Sequence, residues 1–205
     1  MKSSTSISLL LFLLGLFPMM GYASLGKEKV ISDFRLPNVD GKNISLSNYP
    51  DAKGFIVVFT CNHCPFAKLY PTRLKQLQSQ FAPLGIPLIA ISSTDTSVYE
   101  DDGFDQMVAR SKTQEFNFPY LYDLQQDAAK DFGAKRTPHA FVIWKQSGKW
   151  VIKYSGAIDD NGAEPEKVTH RYVVDAVNEL LKGSEVHTRI TQSIGCQIHF
   201  RTSAK

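Results

Sequence analysis

The sequence predicts an α/β domain with a mixed central β-sheet and helices on both faces. Two continuous apolar runs, at 55–59 and 87–91, are typical of strands buried on both faces. Segments in which apolar residues recur at helical spacing alternate with these runs. The chain then closes with two consecutive strands and a helix, an order that favours a mixed sheet.

The first half begins with an extended segment at 30–36, a turn at 38–41 and a return strand at 44–46. After the strand at 55–59, a helix is expected to begin at or just after Cys61 and to run to Phe81. The second half is predicted to contain a helix at 101–116 with acidic residues in its first turn, a strand at 120–122, a helix at 125–132 ended by Gly133, strands at 140–144 and 150–154, and a helix at 166–181 stopped by Gly183.

Composition excludes several classes of function. The 205 residues include 23 Lys and Arg against 20 Asp and Glu, without a basic run interleaved with aromatic residues, so no nucleic-acid partner is expected. The sequence has neither a glycine-rich phosphate loop nor a dinucleotide fingerprint, so no cofactor is expected.

The N-terminus predicts a signal peptide at 1–23. Lys2 precedes an apolar run at 7–20, and small residues at Gly21 and Ala23 suit cleavage after Ala23. A retained membrane anchor is the alternative, although the run is shorter than the roughly 20 residues that span a bilayer. We therefore expect a periplasmic protein with a domain at 24–190, a tail at 191–205 and no membrane segment after cleavage.

A Cys-x-x-Cys pair follows the first buried strand. If Cys61 lies at a helix N-terminus, free backbone N–H groups stabilise its thiolate, and Cys64 can reach back from the first turn. Pro65 is tolerated there. His63, when protonated, would also favour the Cys61 thiolate. The alternative is that His63 is an exposed loop residue without an electronic role.

A second candidate feature is Arg136-Thr137-Pro138 before the strand at 140–144. Thr-Pro before a core strand is typical of a cis-proline loop, although the sequence leaves a trans bond open. In this topology the loop would lie against Cys61 and offer backbone groups of Thr137 to a substrate strand.

The motifs "FIVVFTCNHCPFAK", "YLYDLQQDAAKDFGAKRTPHAFVIW" and "YSGAIDDN" resemble the redoxin (AhpC/TSA- and TlpA-like) branch of the thioredoxin superfamily. The sequence is most similar to a bacterial redoxin group with a C-N-H-C-P centre and a C-terminal Gly-Cys-x-Ile tail, here 195–198. The resemblance implies a thioredoxin-like fold and a cis-Pro138. It also implies a redox-active pair in which Cys61 is the nucleophile and Cys64 the resolving thiol. Asn62 and Thr137 are then candidate substrate-binding residues.

Departures from relatives narrow the expected activity. Peroxiredoxins have Thr where this chain has Val58, which disfavours peroxide reduction. Thr60 replaces the tryptophan of thioredoxin, and Phe55 replaces its buried acid, so the group that deprotonates Cys64 is open. Arg136 stands where relatives carry a further cysteine.

Two other residues carry alternatives. Cys196 is a candidate third redox thiol if the tail folds over the pair, or a buried free cysteine. His139, with Cys61 and Cys64, would offer a soft ligand set for Cu(I). The leading expectation is an exported thiol–disulfide oxidoreductase, without a metal, that exchanges disulfides with client proteins and an upstream thiol partner. A copper carrier and a thiol peroxidase are the alternatives.

Overall fold

A computed structural model describes residues 28–201, so the predicted signal peptide lies outside the described residues. The strands are β1 (Val30–Ile31), β2 (Arg35–Pro37), β3 (Asn43–Ser45), β4 (Gly54–Phe59), β5 (Leu88–Ser92), β6 (Tyr120–Tyr122), β7 (Arg136–Thr137), β8 (His139–Gln146), β9 (Lys149–Gly156) and β10 (Cys196–Gln197). The helices are α1 (Pro71–Phe81), α2 (Phe104–Thr113), α3 (Asp127–Phe132) and α4 (Tyr172–Leu181). Across residues 28–201, no helix has the length and apolar character needed to cross a bilayer.

The central sheet is mixed, as predicted. Its strand order is β1-β9-β8-β4-β5-β6. β4, β5 and β6 run parallel to one another. On the other side of β4, each strand is antiparallel to its neighbour, in the pairs β4–β8, β8–β9 and β9–β1. The hairpin β2–β3 and the pair β7–β10 form two small separate sheets.

The side chains of β4 divide the core between the two faces of the sheet. Ile56 and Val58 point into a cluster that includes apolar residues of α1, α2 and α4. Phe55, Val57 and Phe59 point to the other face, into a cluster with α3. Because successive side chains of a strand alternate, a strand covered on both faces must be apolar throughout. The prediction of helices on both faces is confirmed.

The predicted helix start beside the cysteines is wrong. Residues Ala67–Leu69 form a single 3-10 turn, and the regular helix α1 begins only at Pro71. The N–H groups of Leu69 and Tyr70 bond to carbonyls three residues back, and Pro71 has no N–H with which to continue the pattern. Cys61 therefore lies in a loop rather than at an α-helix N-terminus.

Two other helices are shorter than predicted. Glu100–Asp102 form a 3-10 turn, and α2 begins after Gly103, so these acidic residues precede the helix. Pro165–Lys167 form another 3-10 turn, and the extended backbone of Val168 separates it from α4. In both places the segment expected to begin the α-helix forms one isolated turn.

The C-terminal segment is integrated into the fold as far as Arg201. Its strand β10 pairs antiparallel with β7, next to the cysteine loop. Ile198 is 3% exposed and packs in the core cluster on the α3 side of the sheet. This arrangement brings Cys196 to the candidate site.

Candidate active site

Cys61 and Cys64 lie together in the loop that follows β4. Their side chains are 1% and 0% exposed, and they form a small cluster with Ala67 against which Cys196 packs. All three cysteines are free thiols. The structure thus brings together the predicted pair and the candidate third thiol.

Thr137 contacts both sulfurs of the pair. Its Oγ1 lies 3.0 Å from Cys61 Sγ, and its carbonyl oxygen lies 3.2 Å from Cys64 Sγ and accepts the proton when Cys64 is a thiol. The Thr137–Pro138 peptide bond is cis, as the resemblance implies. The loop before β8 therefore lies against the pair as expected.

The surroundings of the two thiols shift their pKa values in opposite directions. The hydrogen bond to Cys64, then burial and then the charge of Asp102 raise the pKa of Cys61 above its ordinary value. The bond from Cys61 lowers the pKa of Cys64 to about 4, with further donors from Cys196 and the backbone N–H of Ala67. The contacts of the two thiols with each other and with their surroundings therefore set their acidities, and no α-helix N-terminus lies at Cys61 to add to them.

Asp102 is a site residue that sequence reasoning missed. It is fully buried, and its Oδ1 accepts the backbone N–H groups of Asn62 at 2.5 Å and His63 at 3.1 Å. Ligand atoms of Cys61, His63 and Asp102 all lie within 4.8 Å of one another. The acidic run 100–102 is the only trace of this residue in the sequence, and such a run normally indicates a solvated helix start.

His63 is held by two contacts. Its Nδ1 lies 2.5 Å from Oδ2 of Asp102, where the carboxylate accepts the Nδ1 hydrogen. Its ring stacks on Tyr99, with the centroids 3.8 Å apart and the planes 2° from parallel. Its side chain is 13% exposed, so the exposed-loop alternative is wrong. The contact with Asp102 and the stacking on Tyr99 together fix the orientation of the His63 ring.

Asn62 is engaged within the fold. Its Nδ2 donates to the carbonyl of Asp101 at 2.8 Å, and its Oδ1 accepts the hydroxyl of Tyr120 at 3.1 Å. These contacts hold the cysteine loop in place. A substrate-binding role for Asn62 stays a prediction.

A model of the AhpC/TSA family matches residues 28–159. The chain belongs to the AhpC/TSA family. Family membership and the dithiol at the end of β4 make it a thioredoxin-like oxidoreductase that acts through thiols.

Two solved structures are similar over most of the chain. One, a hypothetical protein from Sinorhizobium meliloti 1021, is 30% identical with a TM-score of 0.78 and covers 88% of this chain and 97% of its own. The other, an uncharacterized conserved protein from Geobacillus kaustophilus, is 32% identical with a TM-score of 0.78 and covers 86% and 93%. Peroxidoxin BcpB from Mycobacterium tuberculosis, 21% identical with a TM-score of 0.51 over 62% and 82%, supports the fold alone. A comparison with curated proteins gives no match.

Two departures from the family's pattern have structural explanations. Phe55, at the position of thioredoxin's buried acid, is fully buried and packs edge-on against Tyr49 and Trp150. Asp102 supplies a buried acid to the site from a different element. Val58, where peroxiredoxins have Thr, is buried in the core and offers no hydroxyl to a peroxide.

His139 is not placed as a third ligand for a metal held by the pair. Its Nε2 lies 3.0 Å from Ser155 Oγ, and its Nδ1 accepts the N–H of Lys135 at 3.4 Å. Burial, with a contribution from Lys135, lowers the pKa of His139 to about 4. Among the described residues, the group of three ligating side chains close enough to share an ion contains neither His139 nor Cys64. The ligand set of the copper-carrier alternative is therefore not brought together among the described residues.

Proposed function

We propose that the protein is an exported thiol–disulfide oxidoreductase that exchanges disulfides with client proteins through Cys61 and Cys64. The observation that carries this proposal is the buried cysteine pair whose two sulfurs both contact Thr137, beside the cis-Pro138 bond. Such a pair shares one proton between two sulfurs, so one sulfur is poised as a base or nucleophile for the other.

The first step is attack on a client disulfide. Cys61 attacks one client sulfur while its proton passes to the Cys64 thiolate. The client S–S bond breaks, Cys61 forms a mixed disulfide, and the other client sulfur leaves as a thiolate. This step follows the roles that the resemblance implies, with Cys64 as the neighbouring sulfur that takes up the Cys61 proton while the bond to the client forms.

The second step resolves the mixed disulfide. The leaving client thiolate takes the proton from Cys64, which again becomes a thiolate. Cys64 then attacks Cys61 Sγ, so that the Cys61–Cys64 disulfide forms and the second client sulfur leaves. The client is reduced by two electrons and the pair is oxidised. The reverse sequence oxidises a client dithiol.

A client and an upstream partner would use the same edge of the protein. Thr137 lies in β7, and its carbonyl faces the pair, so an extended client segment beside β7 would bring its sulfur to Cys61. An upstream thiol partner returns the pair to the reduced state by the same exchange.

Trapping experiments test this proposal in a chain that carries Cys196→Ser. With Cys64→Ser added, a disulfide-containing client should accumulate as a mixed disulfide on Cys61. With Cys61→Ser added instead, accumulation should be about tenfold lower, because the attacking sulfur is absent. The measurement is peptide mapping of the alkylated products by mass spectrometry.

Redox titration supplies the second test. The Cys196→Ser chain, equilibrated in glutathione buffers, should interconvert between the Cys61–Cys64 dithiol and disulfide within the range of about −270 to −120 mV known for such pairs. A pair that stays reduced across that range would overturn the proposed function. Export is tested separately: N-terminal sequencing of the protein recovered from periplasm should begin at Ser24, and a chain that retains Met1 would refute cleavage.

A further inference from the structure

The strand β10 occupies the edge that the proposed function assigns to a client. Cys196 is paired with Thr137, and Gln197 with Arg136, in an antiparallel arrangement. The backbone N–H of Cys196 donates to Cys64 Sγ at 3.4 Å, and Cys196 packs against the cluster that Cys61 and Cys64 form with Ala67. Cys196 therefore lies in the strand position beside β7 that a client segment would take, in contact with Cys64.

Gly195 permits this close approach. A Cβ atom at this position would lie 2.0 Å from the carbonyl oxygen of Thr137, a distance that real contacts do not reach. Nη1 of Arg136 donates to the carbonyl of Gly195 at 2.9 Å. The Gly-Cys part of the tail motif thus has a physical explanation: glycine lets the backbone bring the next residue onto the thiol pair.

Contacts on both sides of β10 hold Cys196 in register. Before it, the N–H of Thr191 donates to the carbonyl of Ser155 at 3.0 Å. After it, the N–H of Ile198 donates to the carbonyl of Lys135 at 2.9 Å, and Nε2 of Gln126 donates to the carbonyl of His199 at 2.7 Å. The approach of Cys196 to Cys64 is thus built into the fold.

We propose that Cys196 is the third redox thiol of this site and that it forms a disulfide with Cys64, which locks β10 over the client edge. The proposal rests on the proposed function, because the Cys61–Cys64 disulfide is its starting point. The Cys196 thiolate attacks Cys64 Sγ, the Cys61–Cys64 bond breaks, the Cys64–Cys196 bond forms, and Cys61 leaves as a thiolate. The protein contains one disulfide before the step and one after it, so the step needs neither an oxidant nor a reductant.

The rearrangement changes how β10 is held. In the reduced protein its pairing with β7 is noncovalent, so a client strand can displace it. In the rearranged protein the Cys64–Cys196 bond closes the edge, while Cys61 is returned as a thiol. The oxidised protein thereby stops accepting clients until the Cys64–Cys196 bond is reduced.

Burial, and then the hydrogen bond to Cys64 and the charge of Cys64, raise the pKa of Cys196 to about 11 in the reduced protein. Once Cys64 is part of a disulfide it has no charge, so this last cause disappears. The Cys196 thiolate therefore forms more readily when Cys61 and Cys64 are joined in a disulfide, which is the state in which Cys196 must attack.

The test uses Cys61→Ser, in which Cys64 and Cys196 are the remaining cysteines. After incubation with glutathione disulfide, peptide mapping should show a Cys64–Cys196 disulfide. The control is Cys64→Ser, which should form a Cys61–Cys196 disulfide about tenfold more slowly, because Cys196 contacts Cys64. A Cys61→Ser chain found only as free thiols or as mixed disulfides with glutathione would overturn the proposal.

Gly195→Ala supplies a second variant that keeps all three thiols. Its Cβ pushes β10 away from Thr137, so the fraction of Cys64–Cys196 disulfide at equilibrium should fall about tenfold. An unchanged fraction would overturn the proposal. The outcome is separable from the proposed function: if the pair cycles in Cys196→Ser but no Cys64–Cys196 disulfide forms, the proposed function stands and this inference fails.

Discussion

Replacing Asp102 with Asn should make Cys61 a stronger acid. Asp102 is fully buried, and its carboxylate lies within 4.8 Å of Cys61 Sγ. At that separation and an effective dielectric constant of about 20, repulsion between a carboxylate and a thiolate is about 3 kcal/mol. Removing the charge should therefore increase the ionisation constant of Cys61 by up to about 100-fold.

The assay needs Cys61 as the sole thiol. In a chain carrying Cys64→Ala and Cys196→Ala, the rate of alkylation of Cys61 is measured against pH. Adding Asp102→Asn should shift this profile to lower pH. The matched control is Asp101→Asn, since Asp101 is the neighbouring residue but has an exposed side chain. Superimposed profiles with and without Asp102→Asn, or an equal shift from Asp101→Asn, would refute the electrostatic argument.

Stability provides a second measurement on Asp102. In Asp102→Asn the amide oxygen can still accept the two backbone N–H groups, whereas Asp102→Ala leaves them and His63 without an acceptor. Since a hydrogen bond to a charged group contributes roughly 1.5–3 kcal/mol, Ala should lower the free energy of unfolding by about 3 kcal/mol or more, and Asn by less. Equal losses in urea denaturation would show that the three bonds do not act as described.

Three further predictions concern stability, each measured by urea denaturation. The pKa of His139 falls from 6.5 to about 4 on folding, so the unfolded chain binds more protons than the folded chain between these pH values. The free energy of unfolding should be constant above pH 6.5 and decrease by up to about 3 kcal/mol as the pH falls to 4. His139→Gln should remove this pH dependence. A His139→Gln chain with the same acid sensitivity would contradict it. Arg73→Ala should lower the free energy of unfolding by about 3–5 kcal/mol because Nη1 of Arg73 lies 2.7 Å from the buried Asp159 carboxylate. The double variant Arg73→Ala/Asp159→Asn should lose less stability than the two single variants combined, and strictly additive losses would argue against the ion pair. Ile198→Ala should cost about 2–4 kcal/mol and speed alkylation of Cys64, and a loss below about 1 kcal/mol would mean that the tail is not anchored through the core.

The sequence predicts the sheet and its coverage because local pattern carries that information. The run at 55–59 is apolar at every position, and only a strand covered on both faces needs this. Gly133, with a φ of 73°, ends α3 as its position in the pattern indicates. These features depend on neighbours along the chain.

The site could be predicted only in part because its remaining contacts are long-range. Asp102 is 40 residues from Asn62, and an acid in an acidic run gives no local indication that it is buried. β10 has two residues and no periodicity, and it is held by residues 59 positions away and more. The sequence misplaces the helix start because the apolar spacing that begins at Leu69 does not reveal that Pro71 interrupts the hydrogen bonds.

The double attachment of the tail, at Thr191 and at Ile198, makes the segment between them a closed loop rather than a free chain end. If Cys196 leaves Cys64, it stays within the volume that this short loop allows. Its effective concentration near the pair is then of millimolar order, as for short flexible linkers. A client must outcompete Cys196 for the pair, either by a higher concentration or by tighter binding. Because Cys196 belongs to the same chain, the outcome of this competition should not depend on the concentration of the protein itself.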